Sequence, residues 1–168
     1  MLNNATACKS CHRGSYSSAV GVDDVLRCNL CAAGKYSKEE GMIVESVCKK
    51  CVPGKSQTAP GKSSCVDCNV GQFMDEVGAV NCLSCNPGLY ENEEAQLSCK
   101  NCPENNYTDQ SKQIACKTCS DDETSKEASS YCIKCYAGFY MTTDKKCTSC
   151  DLGKISTYGK SSCKNCEA

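Results

Sequence analysis

Twenty cysteines fall into ten Cys-x-x-Cys pairs, and no cysteine of the 168-residue chain lies outside one. The pairs begin at Cys8, Cys28, Cys48, Cys65, Cys82, Cys99, Cys116, Cys132, Cys147 and Cys163, with second cysteines at Cys11, Cys31, Cys51, Cys68, Cys85, Cys102, Cys119, Cys135, Cys150 and Cys166. Successive pairs are 15 to 20 residues apart, so one small unit is repeated along the chain. Such a unit is too short to enclose a core of its own and must lean on its neighbours.

The rest of the composition agrees. Leu, Ile, Val and Phe supply only 23 residues, about 14% of the chain, which is too few for an ordinary globular core. Cysteine at about 12% marks a covalently stapled scaffold, and disulfides persist in oxidising compartments. The start, Met1-Leu2-Asn3-Asn4, shows neither the basic nor the apolar region of a signal peptide, which suggests a mature segment of something longer. No window approaches a membrane-spanning length of apolar residues. A formal net charge of -1 with interspersed signs gives no reason to expect a nucleic-acid partner.

A second register runs through the repeat. Three positions after each second cysteine stand Gly14, Gly34, Gly54, Gly71, Gly88, Asn105, Asp122, Gly138 and Gly153, residues that tolerate positive φ, so the same tight turn is expected after every pair. Two positions further stand Tyr16, Tyr36, Ser56, Phe73, Tyr90, Tyr107, Thr124, Tyr140 and Ile155, a mostly aromatic column expected to pack on the neighbouring disulfide. The unit reads C-x-x-C-x-x-G-x-Y followed by a polar second turn, as at Gly61-Lys62-Ser63-Ser64-Cys65 and Gly159-Lys160-Ser161-Ser162-Cys163. Few residues separate the turns, so each unit is a short irregular hairpin.

The segments Cys82-Leu83-Ser84-Cys85-Asn86-Pro87-Gly88-Leu89-Tyr90 and Cys28-Asn29-Leu30-Cys31-Ala32-Ala33-Gly34-Lys35-Tyr36-Ser37 resemble the ephrin-receptor-like cysteine-rich repeats. They are also similar to the first half of tumour-necrosis-factor-receptor cysteine-rich modules. The resemblance covers essentially the whole chain. It implies that the second cysteine of each pair joins the first of the next: Cys11–Cys28, Cys31–Cys48, Cys51–Cys65, Cys68–Cys82, Cys85–Cys99, Cys102–Cys116, Cys119–Cys132, Cys135–Cys147 and Cys150–Cys163. Cys8 and Cys166 would then pair outside the segment. A rival scheme, joining first to first and second to second, leaves no cysteine over, and spacing alone does not choose.

The unit around Cys116 to Cys132 departs from the pattern, with Ser120-Asp121-Asp122-Glu123-Thr124 in place of the glycine-aromatic run, which implies a local kink or weaker packing. The first two units are longer, and their extra residues near Val20 to Val25 and Glu39 to Val44 are expected to bulge as edge loops.

Paired Cys-x-x-Cys spacing also fits four-cysteine zinc sites. Against zinc stand the unbroken register, the absence of two-by-two alternation, a pI near 5.9 and the scarcity of arginine, only Arg13 and Arg27. Redox catalysis needs one distinctive thiolate at a helix start, and the pairs are too uniform to mark one. His12 beside Cys11 reads as a solvated loop histidine, because a disulfide-bonded cysteine is no nucleophile. Gly61-Lys62-Ser63 lacks the earlier glycine of a phosphate loop, position 56 being Ser56. Asp23-Asp24 and Asp121-Asp122-Glu123 lack the alternating ligands of a calcium loop. Asn4-Ala5-Thr6 and Asn106-Tyr107-Thr108 are N-glycosylation acceptors if the chain is secreted; Asn29-Leu30-Cys31 matches only the rare cysteine variant.

The expected fold is therefore small and disulfide-rich, an elongated linear array of short irregular β-hairpin repeats with little hydrophobic core. Residues 1–7 form a lead-in and 8–168 about nine repeat units. The expected protein is extracellular or at the cell surface, non-catalytic, and without metal or other cofactor. Its expected role is structural, as a stalk, spacer or filament subunit of a larger glycoprotein; the alternative is a receptor-type ectodomain that binds a protein ligand through repeat-edge loops. The expected partners are neighbouring repeats of the same or a longer chain, further copies in a fibre, and N-linked glycans.

Overall fold

The computed structural model describes residues 10–18 and 28–166. The lead-in, Asn4, Cys8, the insertion near Val20 to Val25, Asp23-Asp24 and Arg27 lie outside the described residues. The chain divides into two compact units, Met1–Leu83 with Glu94–Ser98, and Ser84–Glu93 with Cys99–Ala168. Among the described residues, no helix is long and apolar enough to cross a membrane.

Local chemistry sets the size of every element. Each of the first nine pairs is followed by a four-residue turn closed by a backbone hydrogen bond, such as Ser15 N to His12 O at 3.1 Å, Leu89 N to Asn86 O at 3.0 Å and Phe139 N to Tyr136 O at 3.0 Å. The third residue of eight of these nine turns is left-handed, seven being glycine and the eighth Asn105 at φ 64°, as a type II turn requires. Asp122 is the exception. Its turn keeps the hydrogen bond from Glu123 N to Ser120 O at 3.1 Å without a left-handed residue, because a type I turn imposes no such demand.

In the first unit the turns lead into two-residue strands that pair antiparallel: Ser15–Tyr16 with Asn29–Leu30, Lys35–Tyr36 with Lys49–Lys50, and Lys55–Ser56 with Val66–Asp67. Hairpins this short are not stable alone. Backbone bonds to the following hairpin hold them, from Gly14 N to Ser37 O, Gly34 N to Gln57 O and Gly54 N to Met74 O, while Cys31, Cys51 and Cys68 N extend each hairpin's own ladder to Gly14, Gly34 and Gly54 O. The second turn reaches back too, with Gly61 N on Cys31 O and Gly78 N on Cys51 O. The glycine register is thus steric as well as conformational. A Cβ on Gly14 or Gly34 would sit 2.2 or 2.1 Å from the carbonyl oxygen of Gly61 or Gly78, two repeats onward.

The extra residues of the second repeat do more than bulge. Met42 makes a parallel bridge with Tyr16, and a 3-10 turn follows at Glu45–Val47.

The second unit repeats this plan with Leu89–Tyr90 on Lys100–Asn101, Asn106–Tyr107 on Lys117–Thr118, Phe139–Met141 on Cys147–Ser149, and Lys154–Ile155 on Lys164–Asn165. At the departing repeat the pairing shrinks to one bridge, Thr124 with Ile133.

The core differs from the expected aromatic column. Tyr16, Tyr36, Phe73, Tyr90, Tyr107 and Tyr140 are half-exposed, whereas the next residue is buried in every repeat: Ser17, Ser37, Gln57, Met74, Glu91, Thr108, Ser125, Met141 and Ser156. Strand residues alternate between faces, so one column turns outward when the next turns in. The gap between successive backbones is narrow and rich in amides and carbonyls, which suits small or unbranched side chains with hydrogen-bonding groups. The second cysteines line the same interior, with Cys31, Cys51, Cys68, Cys85, Cys102 and Cys135 almost wholly buried.

Candidate functional site

The disulfides are the first candidate for function. Among the described residues nine are formed in series, Cys11–Cys28, Cys31–Cys48, Cys51–Cys65, Cys68–Cys82, Cys85–Cys99, Cys102–Cys116, Cys119–Cys132, Cys135–Cys147 and Cys150–Cys163. Each closes a loop of 12 to 17 residues across a Cα–Cα distance of 5.4 to 5.8 Å. Cys166 carries an exposed free thiol, and its N–H meets Gly153 O at 2.9 Å as other second cysteines meet their glycine.

A polar spine runs beside them in the second unit. The hydroxyls of Thr108, Ser125 and Ser156 each donate to a backbone carbonyl of the preceding hairpin, at Leu89, Asn106 and Phe139, over 3.2, 2.8 and 2.6 Å. Thr108 Oγ1 also accepts from Gly88 N at 2.7 Å. Glu91 occupies the same column, 1% exposed, with its carboxylate 3.0 Å from Lys100 Nζ and accepting from Glu93 N at 3.1 Å. That hydrogen bond to Glu91 raises the Lys100 pKa, against a smaller opposing effect of desolvation. A buried carboxylate in a column of hydroxyls gives no periodic signal, which is why sequence reading does not single it out.

Outside the spine, ion pairs brace the hairpins. The Lys117 ammonium hydrogen-bonds Asp109 at 2.7 Å and lies 5.8 Å from the centre of the Tyr107 ring; the Asp109 pKa falls and the Lys117 pKa rises, chiefly through that hydrogen bond. Lys134 and Asp122 shift each other in the same directions for the same reason. The acidic run at Asp121-Asp122-Glu123 is engaged this way, with Asp121 3.4 Å from Lys145. His12 is exposed, with Nδ1 2.8 Å from Arg13 O and 3.4 Å from Ser15 Oγ.

Asn106 opens a strand, half-exposed. Its amide donates to Glu104 O at 3.0 Å and accepts from Thr118 at 3.0 Å, while Thr108 of the same acceptor sequence is fully buried.

A cleft of about 460 Å³ lies where the departing repeat meets the next, with Thr124, Ile133, Phe139 and Tyr136 among its walls. Aligning the repeats on their cysteines exposes the signal for it. The positions held by Tyr136 and Phe139 carry no Phe, Tyr or Trp in any other repeat.

Residues 71–119 match the family described as tyrosine-protein kinase ephrin type A/B receptor-like. Two disulfides, Cys85–Cys99 and Cys102–Cys116, close within that span, and the same ladder continues on both sides of it. No individual curated protein matches the chain.

Proposed function

We propose that these tandem ephrin-receptor-like cysteine-rich repeats form a structural, non-catalytic segment of a secreted or cell-surface glycoprotein, working as a stalk, spacer or filament subunit. The observation that carries this reading is the serial order of the disulfides. Under load, each bond diverts tension past the loop that it closes, so only the short Cys-x-x-Cys connectors and the bridges themselves transmit force. Nine bridged loops and a free second cysteine held in the repeat register suit a chain that resists stretching. The polar spine and half-exposed tyrosines keep such a chain soluble without a conventional core. Disulfides in this number also favour an oxidising compartment outside the cytosol.

Single-molecule pulling between Cys11 and Cys163 tests the proposal. The oxidised chain should stop extending near about 130 Å, and the reduced chain near about 500 Å. An oxidised chain that extends as far as the reduced one overturns the reading. A glycan at Asn106 belongs to the same proposal; an Asn106→Gln variant from a secretory host should migrate faster than the parent. The receptor-type alternative draws on the cleft beside Tyr136 and Phe139, where a protein ligand would dock.

A further inference from the structure

Most of the exposed apolar residues of this chain are scattered, but those around the cleft at Ile133 converge. Tyr136, Tyr158 and Phe139 are 66%, 61% and 42% exposed, and the Tyr136 and Tyr158 rings lie 6.3 Å apart. Solvent contact of this extent by neighbouring aromatic residues marks an interaction surface. Lys126, Lys146, Lys145 and Glu104 complete the cleft's charged rim. Lys145 is committed to Cys119 O at 2.9 Å and to Asp121 at 3.4 Å. Among the described residues, the ammonium groups of Lys126 and Lys146 pair with no carboxylate, nor does the Glu104 carboxylate with a cation. The complementary occupant is therefore an aliphatic side chain flanked by carboxylates, with cations in the minority.

One segment of this same chain has that chemistry. Residues 38–45 read Lys38-Glu39-Glu40-Gly41-Met42-Ile43-Val44-Glu45, and Ile43 and Val44 are 68% and 48% exposed. The loop is held in shape by Gly41 N on Cys11 O at 2.7 Å, Ser17 N on Met42 O at 3.0 Å and Cys48 N on Glu45 O at 2.9 Å. A loop already ordered loses little freedom on docking. Glu40 pairs with exposed Arg13 at 3.5 Å and Glu45, itself exposed, with half-buried Lys35 at 3.1 Å, contacts that a new partner can share.

We infer that the loop at residues 38–45 of one molecule docks in the cleft of a second copy, seating Ile43 or Val44 on Phe139 and Ile133 with its carboxylates facing Lys126 and Lys146. The contact joins two different surfaces, so each added copy leaves a free loop at one end and a free cleft at the other, the arrangement that propagates a linear assembly. The inference rests on the structural role proposed above and gives it a partner. An acidic polysaccharide fits less well, since Ile133 and Phe139 offer a sugar no hydrogen bond and, among the described residues, only two cations of the cleft's rim are without a carboxylate.

Sedimentation velocity on the full oxidised chain, at concentrations up to about 1 mM, is the test, because a single small cleft binds weakly. Association should grow with concentration and weaken as salt is raised towards about 1 M. Ile43→Asp and Phe139→Asp should each weaken it at least tenfold, and an equimolar mixture of the two should recover dimers but nothing larger, since only one intact loop and one intact cleft remain per pair. The variant Lys126→Glu/Lys146→Glu should weaken it too, since it reverses the rim charge and leaves the apolar side chains of the cleft in place. A chain that stays monomeric throughout, variants that change nothing, or a mixture no better than its components would each overturn the inference. So would a monomeric chain that binds heparin or an unrelated acidic peptide through Phe139. None of these outcomes alters the pulling lengths above, so failure of docking and failure of the spacer reading are distinguishable.

Discussion

The repeat that follows Cys85 and the one that follows Cys119 begin with the same covalent frame and end differently. After Cys85, Gly88 turns at φ 87°, its N–H meets both the carbonyl and the hydroxyl of Thr108, and a two-residue strand pair follows. A Cβ on Gly88 would lie 2.2 Å from Ala128 O, so that turn is locked against the backbone two repeats away. After Cys119, Asp122 takes the turn without positive φ, its carboxylate binds Lys134, and one bridge replaces the strand pair. The disulfide therefore sets where a repeat closes, while the turn residue sets how its hairpin pairs. Where the pairing shrinks, the chain gains a cleft and exposed aromatic rings.

Graded substitution of the turn residue breaks or sharpens this contrast. Gly88→Ala should cost about 3 kcal/mol or more, the left-handed penalty being about 1–2 kcal/mol before any clash is relieved. Gly138→Ala has the same dihedral demand at φ 85° but nothing within 4 Å of its Cβ, so about 1–2 kcal/mol is expected. Asp122→Ala should cost least. Hydrogen exchange at the Cys102, Cys150 and Ile133 amides, bonded to Gly88 O, Gly138 O and Thr124 O, reads the three sites with disulfides intact. Equal losses at Gly88 and Gly138 would mean that the second-neighbour carbonyl plays no part.

A smaller difference is expected in the buried column. Met74 and Met141 occupy the place that Glu91 holds, so an unbranched apolar side chain fits there, and Glu91→Met should stay within about 1 kcal/mol of the parent. Lys100→Met should be worse, because it leaves the Glu91 carboxylate buried with its cation gone. If instead Glu91→Met proves the more damaging, the ion pair itself, and not the filling of the column, holds that repeat together.

Much of this architecture is legible in the cysteine and glycine registers, because covalent bonds and positive φ are demands on single residues. Gly14, Gly34, Gly54, Gly71, Gly88, Asn105, Gly138 and Gly153 all take the turn that their identity implies. Asp122 does not, because a type I turn competes and no neighbour forces the choice. The buried column escapes sequence reading for a different reason. Ser17, Gln57, Glu91 and Thr108 are polar residues made interior by backbone groups of adjacent repeats, and hydropathy carries no trace of that. The cleft lies between these cases. Tyr136 and Phe139 stand out in columns that hold no other Phe, Tyr or Trp, yet only the stacking shows that they converge with Ile133.

The smallest effect separates the two kinds of repeat electrostatically. Asp109 and Asp122 are both held below the ordinary carboxylate range, each mainly by a hydrogen bond from its lysine, Lys117 or Lys134. A carboxylate whose pKa is depressed in the folded chain binds fewer protons there than in the unfolded one. Its contribution is then complete above the ordinary value of 3.8 and disappears as pH falls through the lower folded value. Both pairs are solvent-exposed, so the change in stability should be slight and salt should reduce it. Carboxyl titration by NMR should place both midpoints below that of a free aspartate, with Lys117→Met restoring Asp109 and Lys134→Met restoring Asp122. Protection at the Cys119 amide, bonded to Asn105 O at 2.9 Å, should follow the Asp109 titration, while the single bridge from Thr124 to Ile133 should follow that of Asp122. If acid loosened both positions at one midpoint, the two repeats would open as a unit and the local difference between their turns would not govern how they come apart.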